Sequence, residues 1–187
     1  MLERYPTGEL RDSLVIDIGA HVGEFAIAAA PYAKNIICFE PDPIVRAALI
    51  ENTKNLKNVN VLPFALSDQT KTAKFFVATA HADSSFVEPE KYDLIIQVDA
   101  RRLDSLNIET NSYSRVILKM DAEGFEPEVL EGGGNWLNKL DIVAIDVSPE
   151  RMGADTYKEV KKILEKRGFR EIKLTSDQVL VMQMEKL

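Results

Sequence analysis

Two apolar segments, each ending in a polar turn, constrain the fold of this chain more than any other feature of its sequence. The first runs Val15-Ile16-Asp17-Ile18-Gly19-Ala20-His21-Val22-Gly23, and its glycines allow the backbone of the turn to approach a ligand before a helical pattern begins. The second, Asn35-Ile36-Ile37-Cys38-Phe39, ends at Glu40, where a carboxylate typically binds both hydroxyls of a ribose. This arrangement predicts neighbouring parallel strands with a nucleotide-shaped ligand at their carboxyl ends.

The glycine turn lacks the pattern of a pyrophosphate site. Dinucleotide folds normally carry G-x-G-x-x-G, which seats a pyrophosphate on the N-terminus of the following helix. Here the pattern is G-x-x-x-G, with Ala20 and His21 between the glycines. S-adenosylmethionine has a ribose and an adenine but no phosphate, and its ammonium group is one that Asp17 can hold directly or through water. The turn therefore favours S-adenosylmethionine over NAD as the cofactor.

Five motifs in chain order resemble those of FkbM-type methyltransferases. They are Asp17-Ile18-Gly19-Ala20-His21-Val22-Gly23, Phe39-Glu40-Pro41, Ala65-Leu66-Ser67-Asp68, Leu103-Asp104-Ser105-Leu106 and Lys119-Met120-Asp121-Ala122-Glu123-Gly124-Phe125-Glu126. The resemblance extends from about Leu14 to Val147 and is most specific in the block D-x-E-G-x-E, since many S-adenosylmethionine enzymes share the first two motifs. It implies a class I methyltransferase that usually methylates a hydroxyl on a sugar, polyketide or similar metabolite.

The resemblance and the glycine turn together indicate where the cofactor binds. The candidate cofactor-binding residues are Asp17, Gly19, Ala20, His21, Gly23, Glu40, Pro41, Ala65 and Asp121. Two positions depart from the family pattern, namely His21, where Asn is usual, and Asp146, where Glu is common. We expect His21 mainly to brace the turn in place of the usual amide side chain.

Methylation of a hydroxyl requires a group that accepts the hydroxyl proton. Asp121 is the first candidate for this catalytic base, because it follows an apolar strand expected beside the first one and so faces the same cleft as Gly19. Glu123 is the second candidate and His21 the third. A route in which Asp121, Glu123 and Asp146 hold Mg²⁺ ranks below the metal-free route, so no metal site is assigned.

The charged neighbours of these candidates have simpler interpretations. Glu126 and Glu128 lie where a helix begins, and acids there are favoured by the helix dipole alone, so both are expected to be structural. Lys119 is expected to pair with one of the acids that follow it.

The remaining pattern predicts an α/β fold of the Rossmann-like class I methyltransferase type, with a mostly parallel seven-stranded sheet and helices on both faces. Nearly continuous apolar runs at 15–18, 36–39, 59–62, 116–120 and 142–147 are typical of such a sheet. Residues 169–174 and 179–184 are separated by only four positions, which predicts a C-terminal antiparallel hairpin. Residues 64–100 predict extra strands and a mobile loop beside the site, where acceptor choice usually resides.

Composition limits the class of protein. A chain of 187 residues with 45% hydrophobic residues suits one core, so residues 1–187 are expected to form a single domain. The net charge of -7 without a Lys/Arg-rich block argues against a nucleic-acid partner. Cys38 has no disulfide partner, no apolar run is long enough to cross a bilayer, and no signal peptide is evident, so a cytoplasmic location is expected. The expected partner is a small-molecule hydroxyl acceptor, and a homo-oligomer remains an option.

Two other functions stay open from the sequence. The first is a nicotinamide-dependent oxidoreductase on a Rossmann-like sheet, which the turn, the short chain and the terminal hairpin disfavour. The second is a non-catalytic S-adenosylmethionine-binding protein, which a sealed pocket around Asp121 and Glu123 would favour.

Overall fold

The computed structural model of the protein describes residues 10–78, 84–89, 91–151 and 153–185. Its ten strands are β1 Ser13–Ile18, β2 Asn35–Phe39, β3 Val59–Leu62, β4 Ala65–Leu66, β5 Lys71–Val77, β6 Leu94–Arg101, β7 Arg115–Met120, β8 Ile142–Asp146, β9 Phe169–Leu174 and β10 Val179–Met184. Seven of them form the main sheet in the order β3-β2-β1-β7-β8-β10-β9. All its pairs are parallel except those of β10, which runs antiparallel to β8 and β9. The predicted parallel sheet with a C-terminal hairpin is confirmed.

Four α-helices connect the strands of the main sheet: α1 Glu24–Ala29, α2 Pro43–Thr53, α3 Glu126–Gly133 and α4 Tyr157–Glu165. Helix α2 begins after Asp42, because Asp42 Oδ1 accepts hydrogen bonds from the amides of Ile44 (2.8 Å) and Val45 (3.4 Å) and Pro43 occupies the first helical position. None of the helices in the described ranges has the length and apolarity needed to cross a bilayer.

The core lies in two layers, one on each face of the main sheet, because successive residues of a strand point to opposite faces. On β1, Leu14 and Ile16 belong to the layer that also contains Val129 of α3 and Val160 of α4. Val15 belongs to the opposite layer, with residues of α1 and α2. The carboxyl ends of the parallel strands remain open to a ligand at one edge.

A second, smaller sheet in the order β4-β6-β5 is formed by the segment for which extra strands are predicted. Strand β5 pairs antiparallel with β6, and the two-residue β4 pairs parallel with the end of β6. The sequence patterns indicate β5 and β6 but not β4. Residues 79–83 and 90 of the predicted loop lie outside the described residues.

Candidate active site

A cavity of about 310 Å³ opens at the carboxyl ends of β1, β2 and β7, with the small sheet as one wall. This volume is within the range of small-molecule sites. The predicted site residues that line it are Gly19, Ala20, His21, Glu40, Pro41, Ala65, Asp121 and Glu123. The fold therefore brings together most of the residues selected from the sequence, although they come from four separate segments.

Glu40 is held in place by the backbone on two sides. Its Oε2 accepts from the amide of His21 at 2.9 Å, and its Oε1 accepts from the amide of Asp42 at 3.0 Å. The side chain is 6% exposed, and burial raises its pKa to about 7, although these amides oppose the rise. Each carboxylate oxygen has a second lone pair for an added donor, so Glu40 is oriented to accept two hydroxyl hydrogen bonds.

The turn after β1 needs glycine at its first position. Gly19 has a φ of +68°, and a Cβ there would lie 1.8 Å from the carbonyl oxygen of Asp121. His21 also has a positive φ, of +50°, a conformation in which His and Asn are both enriched. Its Nδ1 lies 3.5 Å from Oε2 of Glu24, the first residue of α1. These contacts support the bracing role of His21, with its backbone amide fixing Glu40.

Asp17 does not line the cavity. Its side chain is fully buried below the turn, where Oδ1 lies 3.2 Å from Lys119 Nζ. Burial raises the pKa of Asp17, and the Lys119 ammonium opposes that rise. In this arrangement the neighbouring strand supplies a cation to Asp17. The predicted contact of Asp17 with a ligand ammonium, direct or through water, stays a prediction.

Lys119 lines the cavity and contacts both Asp17 and the glycine turn. Besides Asp17, its Nζ donates to the carbonyl oxygen of Gly19 at 2.9 Å. Asp17 and Lys119 are register partners on β1 and β7, so the pair follows directly from the strand order. The sequence predicted a pairing of Lys119 with the acids that follow it and missed Asp17, whose position beside Lys119 appears only once the sheet is assembled.

Gly23 and the acids of α3 have packing roles. Gly23 lies outside the lining of the cavity, and a Cβ there would lie 2.7 Å from the Leu49 side chain. Glu126 is fully buried and accepts from the amides of Ala122 and Gly124, each at 3.1 Å. Glu128 accepts from Arg151 Nη1 at 3.1 Å. These contacts support the structural interpretation of Glu126 and Glu128, and Glu126 shapes the turn that carries Asp121 and Glu123.

Three carboxyl groups meet beside the cavity. Oxygen atoms of Asp121, Glu123 and Glu150 all lie within 4.8 Å of one another. Burial and the neighbouring acids raise the pKa of Glu150 to about 9, and burial raises the pKa of Asp121. The third carboxylate of this group is Glu150, whereas the Asp146 considered from the sequence accepts from the amide of Ser148 at 2.9 Å.

Sequence reasoning missed Glu150. Its Oε2 atom is buried without a hydrogen-bond partner among the described residues. The sequence feature that could have identified Glu150 is its position shortly after β8. The carboxyl ends of parallel strands meet at one edge of the sheet, where ligands bind. A group of close carboxyls in a cavity can accept a proton, bind a cation or donate from whichever member is protonated.

Aromatic rings form part of the wall of the cavity. Phe86 lies between Phe75 of β5 and Phe125 before α3, with ring centroids 5.3 and 5.0 Å away. All three rings line the cavity. Ser85 Oγ, from the same segment as Phe86, donates to the carbonyl oxygen of Glu123 at 2.8 Å. The small sheet is thus attached to the turn that carries the acids.

Comparisons with known proteins identify the family of the chain. A family profile described as "Methyltransferase FkbM domain" matches residues 17–171. The chain is 28% identical over 163 residues to the 2-O-methyltransferase NoeI of Sinorhizobium fredii, covering 77% of this chain and 67% of that protein. It is 26% identical over 174 residues to the hexuronic acid methyltransferase AglP of Haloferax volcanii, covering 91% of this chain and 70% of that protein.

Solved structures show the same fold. The methyltransferase FkbM of Methylobacillus flagellatus superposes with a TM-score of 0.60 at 18% identity, covering 96% of this chain but only 46% of that one. The magnesium protoporphyrin IX methyltransferase of Synechocystis, solved with bound S-adenosylmethionine, has a TM-score of 0.60 at 13% identity, with 95% and 73% covered. At these identities the likeness establishes the fold, and the chain spans less than half of the first of these structures.

Proposed function

The chain belongs to the FkbM methyltransferase family, and on that premise we propose that it methylates a hydroxyl of a sugar or other small metabolite with S-adenosylmethionine as the methyl donor. One observation supports the donor most directly, which is the orientation of Glu40 by two backbone amides at the edge of a cavity without a pyrophosphate turn. The activities for which its relatives NoeI and AglP are named support a sugar hydroxyl as the acceptor.

The residues present suit the donor. Glu40 would accept from the ribose hydroxyls, and Pro41, Ala65 and Leu66 offer an apolar surface for the adenine. Gly19 has no side chain, so the backbone of the turn can lie close to the ligand. When bound, S-adenosylmethionine supplies a methyl group on a positively charged sulfur. The matched family profile disfavours the nicotinamide-dependent alternative.

The chain's own contribution to the reaction is to hold the acceptor and take up its proton. Asp121 and Glu123 line the cavity, so both residues border a space that an acceptor can enter. The raised pKa of Asp121 makes it a stronger base than an exposed aspartate, which suits removal of a hydroxyl proton. The rest of the catalytic task is alignment of the acceptor oxygen with the methyl group, to which the cavity walls contribute. The open cavity favours catalysis over binding without turnover.

A labelling screen tests the proposal. Purified protein would be incubated with metabolite extracts and S-adenosylmethionine that carries an isotopic label in its methyl group, and the products would be analysed by mass spectrometry. We expect the label on a hydroxyl oxygen of a small metabolite. Label on nitrogen, or no labelled product from a protein that binds S-adenosylhomocysteine in calorimetry, would contradict it. Titration with NADH is the matched control, and no binding is expected.

A further inference from the structure

The turn between β7 and α3 carries Asp121 and Glu123 in an unusual backbone conformation. Glu123 has a φ of +52° although it is not a glycine, and Gly124 follows with a φ of +87°. A left-handed conformation is unfavourable for a residue that has a side chain, and it persists only where the surrounding structure holds it. The positions of the two candidate bases therefore depend on the contacts that hold this turn.

The carboxyl group of Glu126 makes two of these contacts. Its Oε1 accepts from the amides of Ala122 and Gly124, each at 3.1 Å, so a single oxygen binds the amides on both sides of Glu123. Glu126 is fully buried and lies outside the lining of the cavity. Its effect on a bound acceptor must therefore pass through the turn.

Thr156 holds the other oxygen of Glu126. Its Oγ1 donates to Glu126 Oε2 at 3.0 Å, and both side chains are buried. A carboxyl group that is hydrogen-bonded through both oxygens is fixed in its rotation as well as in its position. The contact joins the segment before α4 to the turn that carries Asp121 and Glu123.

The hydroxyl of Thr156 does not have the role that is usual at its position. Thr156 immediately precedes α4, where a threonine side chain normally accepts from an amide of the first helical turn. Within the described residues 153–185, no amide of α4 donates to this side chain, and Asp155 Oδ1 accepts from the amide of Tyr157 at 3.1 Å instead. A residue that departs from a local rule in this way indicates a role outside its own helix.

We propose that Thr156 is a positioning residue of the methyl transfer, which acts through Glu126 to hold Asp121 and Glu123 where they line the cavity. The inference rests on the proposed function, because it takes one of these two acids as the base that receives the hydroxyl proton. A base must lie within hydrogen-bond reach of the acceptor oxygen, so a small displacement of the turn slows the reaction. Glu40 is fixed by other amides, so donor binding should not depend on Thr156.

Thr156→Val removes the hydroxyl and nearly preserves the shape of the side chain. With the acceptor from the labelling screen, we expect kcat to fall about 10-fold because the base is displaced, while the affinity for S-adenosylhomocysteine in calorimetry stays the same. Thr156→Ser keeps the hydroxyl and should restore most of the wild-type kcat. Thr53→Val is the matched control, since Thr53 is also buried and its hydroxyl donates to the carbonyl oxygen of Leu49 within α2 at 2.7 Å. It should leave kcat unchanged.

The outcomes separate this inference from the proposed function. Wild-type kcat in Thr156→Val, equal losses in Thr156→Val and Thr53→Val, or a kcat in Thr156→Ser as low as in Thr156→Val would overturn the positioning role. Donor affinity that falls together with kcat would also overturn it, because the effect would then extend to the whole site. Absence of labelled product from the wild-type protein would instead refute the proposed methyltransferase function, and the inference with it.

A double-mutant cycle tests whether Thr156 acts through Glu126. Glu126→Ala removes the carboxyl group and should lower kcat more than Thr156→Val does, because the amides of Ala122 and Gly124 also lose their acceptor. Adding Thr156→Val to Glu126→Ala should cause no further loss, whereas a further loss of about 10-fold would show independent action and overturn the proposal. If circular dichroism shows that Glu126→Ala does not fold, the valine and serine variants of Thr156 decide the proposal alone.

Discussion

Glu40 is a carboxyl group that the fold keeps away from water at the point where a ligand has to contact it. Because its pKa is raised to about 7, a large part of the population is protonated at slightly acidic pH. Ribose hydroxyls donate to the ionised form, so ligand binding favours deprotonation. We predict that affinity for S-adenosylhomocysteine rises as pH increases through 7 and falls about 10-fold per unit well below it. Calorimetric titrations across this pH range measure the effect.

The variant Glu40→Gln separates this carboxylate from other groups that titrate. It should bind S-adenosylhomocysteine at least about 10-fold more weakly at high pH, because charge-assisted hydrogen bonds are replaced by neutral ones. Its affinity should also lose most of its pH dependence. Exposed Glu51→Gln is the control and should behave as the wild type. A pH profile that persists in Glu40→Gln would assign the titration to another group.

Asp121 and Glu123 can be distinguished as bases by their effects on turnover. We predict that Asp121→Asn lowers kcat about 100-fold or more while S-adenosylhomocysteine still binds, since general-base catalysis typically contributes that much. Glu123→Gln should have a smaller effect if Asp121 takes the proton. Single-turnover rates with the acceptor from the labelling screen measure both. A larger loss in Glu123→Gln would reverse the assignment.

The buried pair of Lys119 and Asp17 makes a prediction about stability. Lys119→Met leaves Asp17 as an unpaired carboxyl in the core, and we expect a loss of about 3–5 kcal/mol in the free energy of unfolding. Replacing both residues with apolar ones should recover most of the loss. Lys54→Met is the control, because its partner Glu51 is exposed, and it should change little. Urea denaturation followed by circular dichroism gives these values, and a stable Lys119→Met variant would show that the pair contributes little.

The residues of the candidate site differ in how well their positions can be predicted from the sequence. Glu40 and Asp121 are predictable because each follows a recognisable strand, and the end of a parallel strand is an edge where ligands bind. Asp17 and Lys119 are harder to interpret, because a polar residue inside a strand can face either side of the sheet and its partner depends on strand order. Glu150 could not be predicted in the same way, because its position beside the cavity depends on the path of the loop after β8. No local sequence pattern specifies that path.

At the scale of single elements, the glycine turn is the most sensitive part of the structure. A Cβ at Gly19 would lie 1.8 Å from the Asp121 carbonyl oxygen, so Gly19→Ala must separate the turn from β7. We predict a loss of about 2–3 kcal/mol in donor binding, or roughly 100-fold in affinity, from this overpacking. Calorimetry with S-adenosylhomocysteine measures it.

Gly153→Ala is a matched control for Gly19→Ala. Gly153 also has a positive φ, of +82°, but a Cβ there would meet none of the described residues within 4 Å. Its substitution should cost about 1 kcal/mol of stability through backbone strain alone and leave donor affinity unchanged. Equal losses of donor affinity in the two variants would show that the close approach of Gly19 to Asp121 is unimportant for binding.

Elements with a strong local signal are predictable, and those defined by their neighbours are not. The start of α2 follows from Asp42 and Pro43, and the terminal hairpin follows from a connection too short for a crossover. Strand β4 has only two residues and is a strand because it pairs with β6, so no periodicity indicates it.

For the whole molecule, the contacts of the small sheet determine whether it unfolds together with the main sheet. Its side chains Phe75, Val77 and Val98 form a cluster separate from the two main layers. Contacts with the rest of the fold nevertheless occur on two sides, because Leu66 of β4 belongs to a main layer and Phe86 packs on Phe125.

These contacts predict one cooperative unfolding transition, as expected for a single domain. Trp136, the one tryptophan of the chain, is buried in a main layer and reports on that layer by fluorescence. Its denaturation curve should coincide with that of far-ultraviolet circular dichroism, and amides of β5 and β6 should exchange hydrogen with the same opening free energy as those of β1 and β7. Phe86→Ala, which removes the ring contact with Phe125, should lower the opening free energy of β5 and β6 first. If the wild-type protein already shows low protection in β5 and β6 while Trp136 keeps its native fluorescence, the small sheet opens independently. The part of the cavity wall that this sheet supplies would then move relative to the glycine turn and Glu40.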